Sequence, residues 1–150
     1  MNFRLAICLP QDAETTALTR KVLRQVLASF GVTEDCIGDI ELALSEACSN
    51  VVEHAAVDDD YEVQVEVDDR QCAITVTDTG QGFDASTLDG VMPQASSPRG
   101  RGVAMMHALM DQVTFTSDLA AGTIVNLVKT LTLHPHAPLA RHPRSRPTYE

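Results

Sequence analysis

Tryptophan is absent from this chain, aromatic residues make up only 4% of it, and lysine occurs twice, at Lys21 and Lys129. Neither lysine sits in a Gly-x-x-x-x-Gly-Lys-Ser/Thr pattern, so a nucleotide would have to be bound without a Walker loop. No window approaches the roughly 18 consecutive apolar residues that a membrane span needs. The N-terminal MNFRLAICLPQD also lacks the apolar run and cleavage site of a signal peptide. The expectation is a cytoplasmic protein with no membrane contact. Positive charge is scarce, with 11 Lys and Arg against 21 Asp and Glu and a net charge of −10. That argues against nucleic acid as a direct partner, because neutralising phosphates takes clustered Lys and Arg. The four cysteines, Cys8, Cys36, Cys48 and Cys72, form no CxxC pair, and three fall at apolar positions of expected helices or strands. They read as reduced core residues rather than a disulfide frame or a zinc site.

At 150 residues the chain is long enough for one domain with a real core. Residues 3–9 alternate as a short strand that Pro10 ends. A helix follows from about Asp12 to Ser29, with Ala17, Val22, Leu23, Val26, Leu27 and Phe30 at helical spacing and Gly31 as its C-terminal cap. Thr33 caps a second helix whose core stripe is Ile37, Ile40, Leu44, Ala47 and Val51, closed by a solvated turn at Asp58 to Asp60. YEVQVEVD and QCAITVTD alternate strictly around Asp68-Asp69-Arg70 and read as a hairpin. Residues 85–101, rich in Ser, Gly and Pro, read as a long loop of the kind that serves as a lid. A third helix from about Val103 to Met110 and two strands, QVTFTSD and TIVNLVKTLTL, complete the domain over residues 1–133. Residues 134–150 hold four of the seven prolines and three of the five histidines, and are expected to be a disordered, basic tail. The tail carries Arg141, Arg144 and Arg146 against Glu150, or +2, which leaves −12 on residues 1–133.

Three segments carry chemistry. Glu46 and Asn50 are four apart in IELALSEACSNVVEHAA, so on a helix they share a face, which His54 continues. A carboxylate there suits a general base, and a carboxamide oxygen suits magnesium. Asp78 ends an apolar strand just before Thr-Gly-Gln-Gly, where Gly80 and Gly82 let backbone approach a flat ring closely. Gly100-Arg101-Gly102 opens the third helix, whose amides and dipole suit a phosphate, with Arg99 and Arg101 able to add charge-assisted contacts. A dinucleotide-binding reading of GRGVAM fits poorly, because no strand precedes it and Met105 stands where a small residue belongs.

The order acidic-x-x-x-Asn, Asp-x-Gly-x-Gly, Gly-x-Gly, then Gly122-Thr123, spread over residues 40–130, resembles the nucleotide-binding boxes of the GHKL ATPase superfamily. Spacing and size look most like its anti-sigma-factor serine/threonine kinases. The resemblance implies an α+β Bergerat fold, a two-layer sandwich of a mixed, largely antiparallel sheet with helices on one face. It assigns Glu46 as general base and Asn50 as ligand of the Mg2+ that bridges the triphosphate of ATP. Asp78 would read the adenine amine, Gly80, Gly82, Arg99, Gly100, Arg101 and Gly102 would contact nucleotide, and Thr123 would support Asp78. It further implies a homodimer that phosphorylates an anti-sigma-factor antagonist and holds a sigma factor inactive. The chain shows neither the upstream phospho-accepting hairpin of a histidine kinase nor a transducer domain after the boxes. The rival reading is a non-catalytic ATP-binding module that sequesters a sigma factor or another regulator. An exposed basic cluster, Arg20, Lys21 and Arg24 on the first helix, is expected to steer an acidic partner.

Overall fold

A computed structural model describes residues 1–54, 60–78, 98–118 and 122–139. Strand β1 spans Phe3–Leu9, helix α1 Ala13–Ser29, helix α2 Glu34–His54, β2 Tyr61–Val67 and β3 Gln71–Asp78. Helix α3 spans Pro98–Leu109, followed by β4 Gln112–Asp118 and β5 Gly122–Thr130. The five strands form one sheet in the order β1-β2-β3-β5-β4, with every pairing antiparallel. This is the α+β, largely antiparallel architecture expected, with no parallel pair among the described strands.

Alternation decides the faces. Val63, Val65, Val67, Cys72, Ile74, Val76, Val125 and Leu127 are buried beneath the helices, while Arg4, Gln64 and Glu66 stand exposed on the other side. Buried apolar area is the dominant favourable term in folding, which is why this period-two pattern outweighs the polar interruptions. From the helical side, α2 contributes Ile37, Ile40, Leu44, Ala47 and Val51, all fully buried, and α1 contributes Leu23 and Leu27. The stripe expected of α2 is the stripe observed. In α1, Val22 and Val26 are only half-buried, and Thr19 is buried instead, its hydroxyl donating to the Thr15 carbonyl at 2.9 Å.

Local chemistry closes the elements. Asp12 caps α1 by accepting from the Glu14 amide at 2.9 Å. At the other end Gly31, with φ of 86°, lets its own amide donate to Ala28 and the Val32 amide donate to Leu27, a Schellman pair. The hairpin turn is held by the Asp68 carboxylate, which accepts from the amides of Arg70 and Gln71 at 2.8 Å each.

Three expectations differ from what is observed. Helix α3 begins at Pro98, a turn earlier than Val103, because proline at the first helical position loses no hydrogen bond. Asp58 and Asp59, most of the 85–101 loop and residues 140–150 lie outside the described residues. Of the segment read as a tail, His134 to Leu139 fold back: Ala137 and Leu139 are buried, the His134 amide donates to the Gly31 carbonyl at 2.8 Å, and Leu133 bridges to Val32. The basic cluster on α1 is also not a free patch. Arg24 makes a bidentate pair with Glu41 at 2.6 and 2.8 Å and reaches Glu34 at 2.7 Å. These carboxylates raise its already high pKa. Arg20 is half-buried and Lys21 remains exposed.

Glycines give a direct test of this packing. A methyl at Gly38, in the second turn of α2, meets no atom within 4 Å. Gly38→Ala is therefore expected to stabilise the protein by about 0.5–1 kcal/mol. A methyl at Gly31 overlaps Ala137 and its φ of 86° strains any side chain, so Gly31→Ala is expected to cost about 2 kcal/mol or more. Chemical denaturation of both variants reads these opposite signs, and a Gly31→Ala protein as stable as wild type would show that the 134–139 segment does not pack there.

Candidate functional site

The face of α2 next to its core stripe turns toward α3 and carries Ala43, Glu46 and Asn50. Asn50 is 7% exposed, and its Nδ2 has no hydrogen-bond partner among the described residues. A buried donor of that kind is costly unless something polar meets it. Glu46 is half-buried and lies against Gly102 of α3.

At the end of β3, Asp78 is fully buried. The sheet registers place it between two particular neighbours. Tyr61 of β2 pairs with Asp78, and the β3–β5 register, running through Thr77 and Ile124, brings Thr123 to its other side. Thr123 is fully buried, and its hydroxyl has no hydrogen-bond partner among the described residues. Gly122 makes the approach possible: a methyl there would overlap the Asp78 carbonyl oxygen, and its φ of 86° is one only glycine adopts freely. On the far side, the Tyr61 hydroxyl shares a hydrogen bond with Thr16 Oγ1 at 3.0 Å. Burial raises the pKa of that phenol, and burial pushes the nearby Cys48 thiol up to about 12, so both stay protonated.

Helix α3 places Pro98, Arg99, Gly100 and Arg101 in its first turn, with Arg101 exposed and Gly102 buried in the fifth position. A helix start presents free amides and the positive end of its dipole. The C-terminal end is fixed by Lys129, whose Nζ donates to the Leu109 carbonyl at 2.6 Å and reaches Asp39 at 3.3 Å. The Asp111 carboxylate accepts from the Thr130 amide at 2.5 Å, and that bond lowers its pKa.

The structure thus brings Glu46 to Gly102 and Asp78 to Thr123, while Gly80 and Gly82 lie outside the described residues. Among the described residues no group of three His, Cys, Asp or Glu could hold a metal ion. Asn50 is a hard oxygen donor, a kind suited to an ion that takes its remaining ligands from water and phosphate. Tyr61 escapes the reading by motif, and Gly122, read there only beside Thr123, is not placed against Asp78. The strict β2–β3 alternation holds the signal for Tyr61, and an isolated glycine opening a strand holds the one for Gly122.

Residues 9–129 match the histidine kinase-like ATPase domain family. The chain belongs to that family. It is 31% identical over 134 residues to the serine-protein kinase RsbW of Bacillus velezensis, with 82% of each chain covered. To the anti-sigma F factor of Pasteuria penetrans it is 33% identical over 127 residues, covering 79% of this chain and 85% of that one. A solved structure of RsbU and RsbW domains from Mycobacterium tuberculosis superposes with a TM-score of 0.63 at 26% identity, over 89% of this chain and 33% of that one. The mycobacterial sensor histidine kinase MprB, at 12% identity and a TM-score of 0.55, shares the fold. ATP use goes with the family.

The contact between Gly122 and Asp78 predicts a stability effect. Gly122→Ala adds left-handed strain and displaces the end of β3, an expected loss of about 2–3 kcal/mol. For a domain of this size that is roughly 6–12 °C in melting temperature. Scanning calorimetry showing no shift would mean that β5 does not approach Asp78 as closely as described.

Proposed function

We propose that this chain is an ATP-dependent serine/threonine-protein kinase that also acts as an anti-sigma factor. It phosphorylates an anti-sigma-factor antagonist and, in its other state, holds a sigma factor inactive. The observation that carries the reading is the seating of Glu46 against α3 one helical turn from the buried Asn50, in a chain about 30% identical to serine-protein kinases over most of its length.

In the reaction proposed, the hydroxyl oxygen of the acceptor Ser or Thr attacks the γ-phosphorus of ATP. Its proton passes to the Glu46 carboxylate, the new O–P bond forms, and the bond to the β,γ-bridging oxygen breaks to release ADP. Asp78 accepts from the exocyclic amine of adenine, with Thr123 and Tyr61 as its neighbours on the adjoining strands. Gly80 and Gly82 would let backbone approach the adenine ring, and Arg99, Gly100 and Arg101 would contact the phosphates. Asn50 would hold Mg2+, which when bound would neutralise phosphate charge. A homodimer in the cytoplasm is the working form. A non-catalytic module that only sequesters its partner remains the alternative, and the presence of Glu46 beside Asn50 favours the enzyme.

Incubation with γ-labelled ATP, magnesium and candidate antagonist proteins tests the reaction, and acid-stable phosphoserine or phosphothreonine is the expected product. General-base catalysis contributes about 10²- to 10⁴-fold, so Glu46→Gln is expected to bind ATP nearly normally and transfer at least tenfold more slowly. Wild-type transfer by that variant would remove Glu46 from the role. By calorimetry Asp78→Asn is expected to weaken ATP binding and Asn50→Ala to abolish the magnesium-dependent part of the affinity. If both match wild type, the nucleotide site lies elsewhere.

Arg24 is already held by Glu34 and Glu41, so partner steering falls to Arg20 and Lys21. Reversing these two to Glu is expected to leave ATP affinity intact and to slow association with an acidic partner, more so at low salt. Equal association rates at low ionic strength would place the docking surface elsewhere.

A further inference from the structure

Helix α3 raises a question about its second glycine. Gly102 is the fifth residue of the helix, so its amide points to the carbonyl four residues back and lies beyond the free amides of the first turn. Its φ is not left-handed, unlike those of Gly31 and Gly122. A glycine inside a helix costs about 1 kcal/mol relative to alanine, and neither phosphate donation nor backbone freedom accounts for that cost here. The space above its Cα does. A methyl at Gly102 would lie 2.5 Å from Glu46 Oε2, 3.5 Å from Glu46 Cδ and 3.9 Å from Glu46 Cβ. The carboxylate occupies the place where a side chain would be.

We propose that Gly102 is a positioning residue for phosphotransfer: the side chain it lacks is the slot that fixes the Glu46 carboxylate against α3. The inference rests on the reading of Glu46 as general base and adds to it the element that aims the base. Helix α3, whose first turn is the proposed phosphate site, and Glu46, which takes the acceptor's proton, are then set by one contact. Base and phosphate keep a constant relation because the same helix touches both.

The atom a methyl would meet is the far end of a flexible side chain, not backbone. Gly102→Ala is therefore accommodated by rotating Glu46 away, with the fold intact and the helix, if anything, more stable. The variant is expected to melt at or above the wild-type temperature and to keep wild-type affinity for ATP. Transfer is what it loses, because a displacement of about 1 Å at a reacting group can cost as much as 10²-fold. The rate is read as γ-phosphate transfer from labelled ATP to the acceptor that the labelling experiment identifies and to water. We expect kcat at least tenfold lower with the KM for ATP unchanged.

Two backgrounds separate positioning from a structural role. In Glu46→Gln, which has no base to aim, adding Gly102→Ala is expected to slow transfer no further. In Glu46→Asp, whose carboxylate is withdrawn from the slot by one methylene, adding Gly102→Ala is expected to change kcat less than twofold. Wild-type transfer by Gly102→Ala, or a loss of ATP affinity or melting temperature in that variant, would overturn the proposal. So would an equal further loss in all three backgrounds. Failure of the underlying reading looks different: Glu46→Gln would then itself transfer at the wild-type rate.

Discussion

Everything in the site depends on how α2 is rotated about its axis. Ile37, Ile40, Leu44, Ala47 and Val51 are fully buried against the sheet, and burying such side chains is worth about 1.5–3 kcal/mol each for the larger ones. Turning the helix by one residue would rotate it about 100° and expose that stripe. The core therefore decides which flank faces α3, and Glu46 and Asn50 are on that flank. A polar pair on one face of a helix would otherwise have many orientations open to it. Here the apolar face next door leaves one.

The sheet performs the same service for Asp78. A one-residue slip in register sends every side chain to the opposite face, so the buried Val63, Val65, Val67, Ile74 and Val76 of β2 and β3 hold Asp78 on the helical side. Leu9, Tyr61, Asp78 and Thr123 then run across the sheet as one row of neighbours. Helix α3 is braced in a third way, by Lys129 and the Leu109 carbonyl at its end and by the Glu46 contact near its start. Sheet, α2 and α3 each supply part of the site, and each is positioned by contacts outside it.

Local periodicity made most of the fold legible. Residues 3–9, the 61–78 hairpin and QVTFTSD alternate cleanly, and the α2 stripe recurs at helical spacing, so these elements lie where the residues place them. Gly31 reads as a cap from its position and serves as one. What escaped depends on contacts between distant residues. Arg24 on α1 pairs with Glu34 and Glu41 on α2, which no window along α1 contains. Ala137 and Leu139 are two apolar residues among prolines, too few for a periodic signal, yet both are buried, Ala137 against Gly31. In the site, the residue types at Glu46, Asn50, Asp78 and Thr123 could be picked out by motif. Gly102 could be read only as a phosphate glycine, because its nearest neighbour, Glu46, is 56 positions away.

Charge poses the remaining problem, since residues 1–133 carry −12 and the proposed ligand is a polyphosphate. Net charge acts weakly at that range: exposed charges farther apart than about 8 Å are largely screened at physiological salt. What an anion meets is local. The start of α3 carries the equivalent of roughly half a positive charge and free amides. Several carboxylates are meanwhile occupied by cations, with Glu34 and Glu41 on Arg24, Asp39 on Lys129 and Glu66 on Arg4. Those cations are thereby unavailable to a phosphate as well. An acidic chain can thus meet a polyphosphate through backbone dipoles rather than through a basic pocket. That fits a chain with two lysines and no Walker loop, and it makes the free amides at the start of α3, more than the overall charge balance, what a phosphate would meet.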